Sequence, residues 1–175
     1  MTSGIVTHTT SNTIFFQDAQ GDGDDTTSDA ISIFVGNGNV EVAVGDFITV
    51  VGEVREFFPG GVGTGNQPIT QLAADSIIVE SSENPLPAPI IIGQGGRVPP
   101  SESMAEGLNF LESHEAMLVT EQDAMAIAGT NRFGETFTVV DKGADATGIS
   151  ERGTLNISPG DFKPEKIQIQ GGGLN

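Results

Sequence analysis

Apolar and polar positions alternate along this chain in short β-branched runs, each closed by turn residues, which is the pattern of half-buried strands. The runs GIVTHTT, NTIFFQ, AISIFV, VEVAV, DFITVVGEVREFF and SIIVE fill the first 80 residues and predict a strand each. In DFITVVGEV, Phe47, Thr49 and Val51 alternate with Ile48 and Val50, and Gly52 interrupts the run. A glycine there marks a bulge or a barrel corner. One strongly bent strand with several short neighbours is what a small closed barrel needs. Phe15, Phe16, Phe34 and Phe47 are expected in its core, except that adjacent residues on a strand face opposite ways, so one of Phe15 and Phe16 points outward. The Gly-rich stretch FPGGVGTGNQPITQL, Phe58 to Leu72, predicts a hairpin connection. Its glycines lack the spacing and following helix of a phosphate loop.

The pattern changes at SSENPLPAP, Ser81 to Pro89, where three prolines in a polar stretch predict an extended linker. This divides the chain into a barrel over 1–82, a Pro/Gly-rich linker over 83–100 and a second β-unit over 101–175. The second unit opens with the one predicted helix, SESMAEGLNFLESHEAM. Ser101 or Ser103 caps it, and Glu106 lies three residues after Ser103 in a capping-box arrangement. Gly107 limits it to one or two turns. MLVTEQDAMAIAG, ETFTVVD, GTLNISPGD and KIQIQ return to strand-like alternation, and GGGLN closes as a tail. HEAMLVTEQDAMAI echoes VGDFITVVGEVREF, and ETFTVVDKG echoes NTIFFQDAQG, so the second unit is expected to be partly similar to the first. The predicted fold class is all-β with one short helix.

Composition narrows the choice of partners. The 175 residues include 24 glycines and 9 prolines without a collagen-like period, and 37% are apolar, which suits many short strands joined by turns. The net charge is −17, and residues 1–90 hold 12 acids against the single base Arg55. Nucleic-acid binding draws on Lys and Arg clusters, so it is disfavoured, as is an anionic membrane surface. No window approaches the roughly 18 apolar residues of a membrane span. The absence of cysteine removes disulfides, thiolate metal sites and a Cys nucleophile. The opening MTSGIVTHTT has neither the basic nor the apolar region of a secretory signal.

Charge is concentrated in DAQGDGDDTTSD, where five aspartates fall within the twelve residues from Asp18 to Asp29. Their mutual repulsion calls for a counter-ion. With Asp18 at the first position of a calcium loop, Gln20 and Asp22 take the third and fifth positions and Gly23 the sixth. Asp24 then offers a backbone carbonyl, Thr26 takes the ninth position and Asp29 the twelfth. Gln20 is neutral and Asp29 is shorter than the usual bidentate Glu, so the expected affinity is low, about 10⁻⁴ to 10⁻³ M. The competing reading is a solvated acidic turn that serves solubility. Flanking strands make this a calcium-stapled hairpin rather than a sensor.

The order of GIVTHTTSNTIFFQDAQGDGDDTTSDAISIFV, VAVGDFITVVGEV and ITQLAADSIIV resembles the OB-fold domain of secreted bacterial endonucleases of the endonuclease/exonuclease/phosphatase superfamily. PLPAPIIIGQGGRVPP, NFLESHEAMLV, TNRFGETFTVV and ISPGDFKPEKIQI look like the segment that joins that domain to the next, so the resemblance covers nearly the whole chain. It implies an OB-type barrel in an extracellular setting. The catalytic nuclease domain of those proteins lies C-terminal to this region and has no counterpart here, so the resemblance implies no hydrolysis by this chain. The chain is either an excised portion of a longer secreted protein or a stand-alone relative.

Other residues add little chemistry. An OB fold raises single-stranded nucleic acid, which needs aromatic platforms in a positive groove; one basic residue in the barrel half does not make such a groove. His8 and His114 are far apart and in no ligand motif, so both are expected at the surface or in structural roles. Arg132, Arg152, Lys163 and Lys166 are expected to pair with the acidic excess. These observations favour a noncatalytic, extracellular, calcium-binding β-module accessory to a larger secreted protein. The alternative is a self-assembling subunit of a filament or tube, with terminal strands completing a neighbour's sheet and calcium bridging the copies. The expected partners are calcium ions and other copies or adjacent domains of a longer chain, with no membrane and no nucleic acid.

Overall fold

A computed structural model describes residues 1–36 and 41–170. The first residue of VEVAV, Val40, and the GGGLN tail lie outside the described residues. The chain divides into two compact units, Met1–Pro89 with Glu112–Leu118, and Ile90–Leu111 with Val119–Asn175.

The first unit is a closed barrel of β1 (Thr2–Thr9), β2 (Thr13–Gln17), β3 (Ala30–Phe34), β4 (Phe47–Phe57) and β5 (Ile69–Ser81), in the order β1-β2-β3-β5-β4. β3 and β5 run parallel, the remaining neighbours antiparallel, and β1 closes the ring on β4 through pairs such as Thr2 with Val50. This is a small closed barrel, as the alternation predicts, and of the OB type that the resemblance implies. Its core is Val6, Ile14, Phe16, Ile33, Ile48, Val50 and Leu72. Ile14 and Phe16 on β2 and Ile48 and Val50 on β4 have the two-residue spacing that puts them on one face of their strands. The ladder slips between Val51 and Gly52, and a Cβ on Gly52 would lie 2.9 Å from the Ala74 Cα. The interrupting glycine is thus a bulge that lets β4 bend around the barrel.

Of the predicted strand VEVAV, the described residues Glu41, Val42, Ala43 and Val44 form no strand. Glu41–Ala43 are irregular, and Ala43 instead donates its N–H to Asp46 Oδ2 at 2.8 Å and accepts from the Asp46 N–H at 3.0 Å. The buried Asp46 carboxyl, held below the usual carboxylate range by the Ser82 hydroxyl and then the Ala43 N–H, pins a turn before β4. A strongly apolar run yields here because a local side-chain acceptor competes with the ladder.

The boundary at Pro89 lies inside the expected linker, and part of the linker beyond it is a paired strand. β6 (Ile90–Ile92) pairs in parallel with β7 (Val119–Glu121). The second unit also holds a three-stranded sheet of β10 (Ile167–Gln170), β9 (Glu135–Val139) and β8 (Met125–Ala126), in that order. The echo of the barrel in this sequence is therefore not carried into topology. ETFTVV lies between β8 and β10 in a short sheet, and Glu112–Leu118 belongs to the barrel unit. There Ser28 Oγ donates to the Glu115 carbonyl at 2.6 Å, and the Leu118 N–H donates to Gln17 Oε1 at 2.9 Å. GTLNISPGD forms only isolated bridges, Ile149 with Leu155 and Ser158 with Asp161.

The helix α1 spans Met104–Glu112. Ser103 caps it, its Oγ accepting the Glu106 N–H at 3.3 Å. At nine residues it runs longer than expected. Gly107 is buried, and a methyl there would overlap the Pro164 ring, so the glycine makes room for that contact and does not end the helix. No helix among the described residues is long and apolar enough to cross a membrane.

Candidate functional site

The six candidate calcium ligands share one connection, between β2 and β3. Asp18, Gln20, Asp22, Asp24 and Thr26 are exposed, and Asp29 is half-buried at the foot of the loop, where its carbonyl accepts the Asp18 N–H at 2.8 Å. The carboxylates are largely engaged by the loop itself. Asp18 Oδ1 accepts the Gln20 N–H at 2.9 Å, Asp22 Oδ1 the Asp24 N–H at 2.7 Å, and Asp24 Oδ1 the Thr26 N–H at 2.9 Å. Asp29 Oδ1 reaches back to the Asp22 N–H at 2.9 Å. Each is a short side chain closing a turn on nearby backbone, the local habit of aspartate. The Asp24 carboxyl is held below the usual carboxylate range, first by the Thr26 hydroxyl and then by the Thr26 N–H.

Asp18, Asp22 and Asp29 line one open cleft of about 400 Å³ together with Ser28 and the start of β1. Among the described residues, no three Asp, Glu, His or Cys side chains converge closely enough to form a metal shell. The donors suit a hard, oxygen-preferring cation, but Gln20, Asp24 and Thr26 are not drawn into that cleft. Those three stay on the loop surface.

A second surface was not among the sequence candidates. Phe16 faces the core at 2% exposure, and its neighbour Phe15 faces out. Phe34 is not a core residue: it is 54% exposed, and Phe57 at the end of β4 is 52% exposed. With Ile69, these rings form the apolar part of a cleft of about 330 Å³ on the outside of the barrel. Asn12, Thr13, Ser32 and Gln71 complete it. Sheet register explains the assembly. Phe15 stands opposite Ser32, Ser32 opposite Gln71, and Gln71 opposite Arg55, so one row crosses four strands, while Thr13 pairs with Phe34 and Phe57 with Ile69. Parity was the available signal: with Ile33 inward, Ser32 and Phe34 must face out. His8 is exposed and its ring lies 5.8 Å from that of Phe15. Arg55 is held by Glu53 at 2.9 Å.

The second unit buries a polar knot. Lys163 is 4% exposed, and its ammonium donates to the Thr147 carbonyl at 3.0 Å, to Thr147 Oγ1 at 2.8 Å and to Asp161 Oδ2. Its three donors are thereby used. The Asp161 carboxyl is pulled down to about 2, chiefly by Lys163 and then by the Thr147 hydroxyl. Glu165 is buried beside it; Oε1 accepts the Thr147 N–H at 3.0 Å, and Oε2 has no hydrogen-bond partner among the described residues. A saturated ammonium has no lone pair with which to activate Thr147, so the knot is a clasp on the segment from Thr147 to Glu165. Of the other cations expected to pair with acids, Arg132 lies 4.7 Å over the Phe133 ring and Lys166 lies 4.8 Å over the Phe137 ring. His114 is buried, with Nδ1 3.1 Å from Ser113 Oγ.

Fold and surface together define a β-rich module: an OB-type barrel with an outward aromatic cleft, and a smaller β-unit clasped by a buried ion pair. The chain belongs to the family described as a domain of unknown function (DUF8508), whose model matches residues 67–173. That match starts in the connection before β5 and takes in β5 and the described part of the second unit. No curated protein and no solved structure matches the chain.

Proposed function

We propose that this chain is a noncatalytic, extracellular β-module, accessory to a larger secreted protein such as an extracellular nuclease, that works by holding a ligand or neighbour on its barrel. The observation that supports it most is the outward placement of Phe34 and Phe57, each more than half exposed, around one cleft of the barrel. Water-facing rings gathered in a concavity gain from being covered. The extracellular setting and the nuclease association rest on the order of motifs from NTIFFQDAQGDGDD to KIQIQ.

Calcium enters as a weak staple of the β2–β3 hairpin. Asp18 and Asp29 would hold it, because they share a cleft and each carries a second oxygen beyond the one bonded to the loop, whereas Asp22 accepts from the Asp24 N–H on Oδ1 and from the Thr27 hydroxyl, at 3.0 Å, on Oδ2. With a dissociation constant of about 10⁻³ M and calcium tenfold above it, the folded state gains about 1.4 kcal/mol. A second reading, the self-assembling subunit, is favoured by the position of β10 at one edge of its sheet, where no further strand pairs with it among the described residues.

Molar mass by light scattering with millimolar calcium and with excess chelator, alongside melting temperature, separates the readings. A monomer in both conditions that melts higher with calcium supports the accessory module. Mass that grows with calcium and collapses with chelator supports assembly. A melting temperature indifferent to calcium removes the ion from either.

A further inference from the structure

The accessory-module reading leaves the ligand of the aromatic cleft open, and the chemistry of that ligand rests on the same reading. Half of the cleft's lining is ring or aliphatic surface and half is neutral hydroxyl or amide; none of its lining side chains among the described residues is titratable. The two kinds are interleaved. Phe15 has Ser32 directly opposite, Phe34 has Thr13, and Gln71 stands between Ser32 and Arg55. Directly opposed side chains are neighbours on a sheet face, so Phe15 and Phe34 each have a hydrogen-bonding group beside them, while Phe57 stands opposite Ile69. The Gln71 amide makes no side-chain hydrogen bond among the described residues, and Ser32 Oγ makes only a long one, 3.5 Å, to the Thr70 carbonyl. The half-buried Gln71 amide is open to a ligand, whereas Ser32 is only 4% exposed.

Three ligand classes fit an aromatic cleft to different degrees. An oligonucleotide needs cations along its backbone; the nearest, Arg55, is already paired with Glu53, and the molecule carries −17. A purely apolar peptide surface would cover the Gln71 amide without satisfying it. A neutral sugar chain matches both halves. The C–H face of a pyranose carries slight positive charge and sits against the negative face of an aromatic ring. Its rim of hydroxyls both donates and accepts, as amides and hydroxyls require. The cleft volume of about 330 Å³ lies at the lower end of ligand sites, which run roughly 300 to 1,000 Å³.

We propose that this cleft is a binding site for an uncharged oligosaccharide, with Phe34 and Phe57 as stacking platforms and Gln71 and Thr13 as partners for its hydroxyls. The test is calorimetric titration of the full chain with cellohexaose, maltohexaose and chitohexaose, with oligothymidylate and hexagalacturonate as anionic controls. At least one neutral hexasaccharide is expected to bind at submillimolar to millimolar affinity, and the anions are not. Phe34→Ala and Phe57→Ala should each weaken that binding about tenfold, the share of one stacked ring, with the melting temperature unchanged because both rings are solvent-facing. Gln71→Ala, which removes no ring, should also weaken it. The proposal is overturned if no neutral hexasaccharide binds at millimolar concentration, if binding survives both ring substitutions, or if oligothymidylate binds and the ring substitutions abolish that instead. The calcium-dependent melting shift, read on the same preparation, keeps the two ideas apart. Its presence without saccharide binding overturns the ligand class alone.

Discussion

Phe15 and Phe16 are the same residue side by side on one strand, and the fold gives them opposite roles. Phe16→Ala removes a ring that is 2% exposed from the cluster of Val6, Ile14, Ile33, Ile48, Val50 and Leu72. Truncations of this kind leave a cavity and cost about 3 to 5 kcal/mol. Phe15→Ala removes a partly exposed ring whose aromatic neighbour is His8, with ring centroids 5.8 Å apart. The loss of such a pair is about 0.5 to 1.5 kcal/mol beyond its area. Phe16→Ala should therefore be the costlier variant, with central values about 3 kcal/mol apart before the partly buried area of Phe15 is counted. Urea unfolding followed by far-ultraviolet circular dichroism reads this as a larger fall in midpoint for Phe16→Ala at equal slope. Equal losses, or a larger loss for Phe15→Ala, would refute the register of β2. A one-residue slip exchanges the faces of the whole strand, and the aromatic cleft would go with it.

Gly107→Ala should destabilise by more than about 1 kcal/mol, because the added methyl meets Pro164 in a packed site; a higher melting temperature, the usual result of Gly→Ala in a helix, would show that contact to be absent. The Asp161 carboxyl is ordinary at 3.8 when unfolded and about 2 when folded, so its contribution is present above the higher value and lost as pH falls through the lower. Asp161→Asn should flatten that acid limb of the melting curve, and an unchanged limb would dissolve the clasp with Lys163. Glu115 shifts the other way: burial raises its pKa, opposed by the Thr70 N–H and reinforced by Glu112 and Glu56. Its folded form holds a proton to higher pH, so the ionised group costs stability at neutral pH and that cost fades as pH falls. Glu115→Gln keeps an acceptor for Thr70 and should raise the melting temperature at neutral pH by a small, solvent-screened amount; the variants should converge in acid, and a parallel offset at all pH values would refute the cause.

Several features of the fold are legible in the sequence. Period-two alternation marks β1 to β4 and the later part of β5, whose first residues, Ile69–Leu72, read as the end of a hairpin connection; Gly52 marks the bulge, and Ser103 with Glu106 marks the start of α1. Others are hidden for identifiable reasons. VEVAV has the composition of a strand, but Asp46 offers its carboxylate to the Ala43 N–H and a turn forms instead. Ile90–Ile92, which reads as linker because prolines precede it, finds a partner in Val119–Glu121. In the acidic hairpin the crowding of charge is plain, yet which oxygens the loop amides occupy depends on turn geometry that spacing does not express. The aromatic cleft is obscured because phenylalanine is usually core; parity turns Phe15 and Phe34 outward, but their sequence neighbours do not place Phe57 beside them.

What the sequence determined by itself is local: the alternation that makes strands, the cap, the bulge and the charge that repels anions. These depend on residues a few positions apart. Tertiary structure decided which strands meet. The parallel pairing of β3 with β5 and the closure of β1 on β4 join segments tens of residues apart. That choice rests on burying one shared core and leaving no open edge to the barrel. It carries Phe15, Phe34 and Phe57 from three strands to one cleft, and it brings Glu115 back to Ser28 and Thr70. Each strand's pattern says which side chains face out, and only closure of the barrel says beside which others they stand.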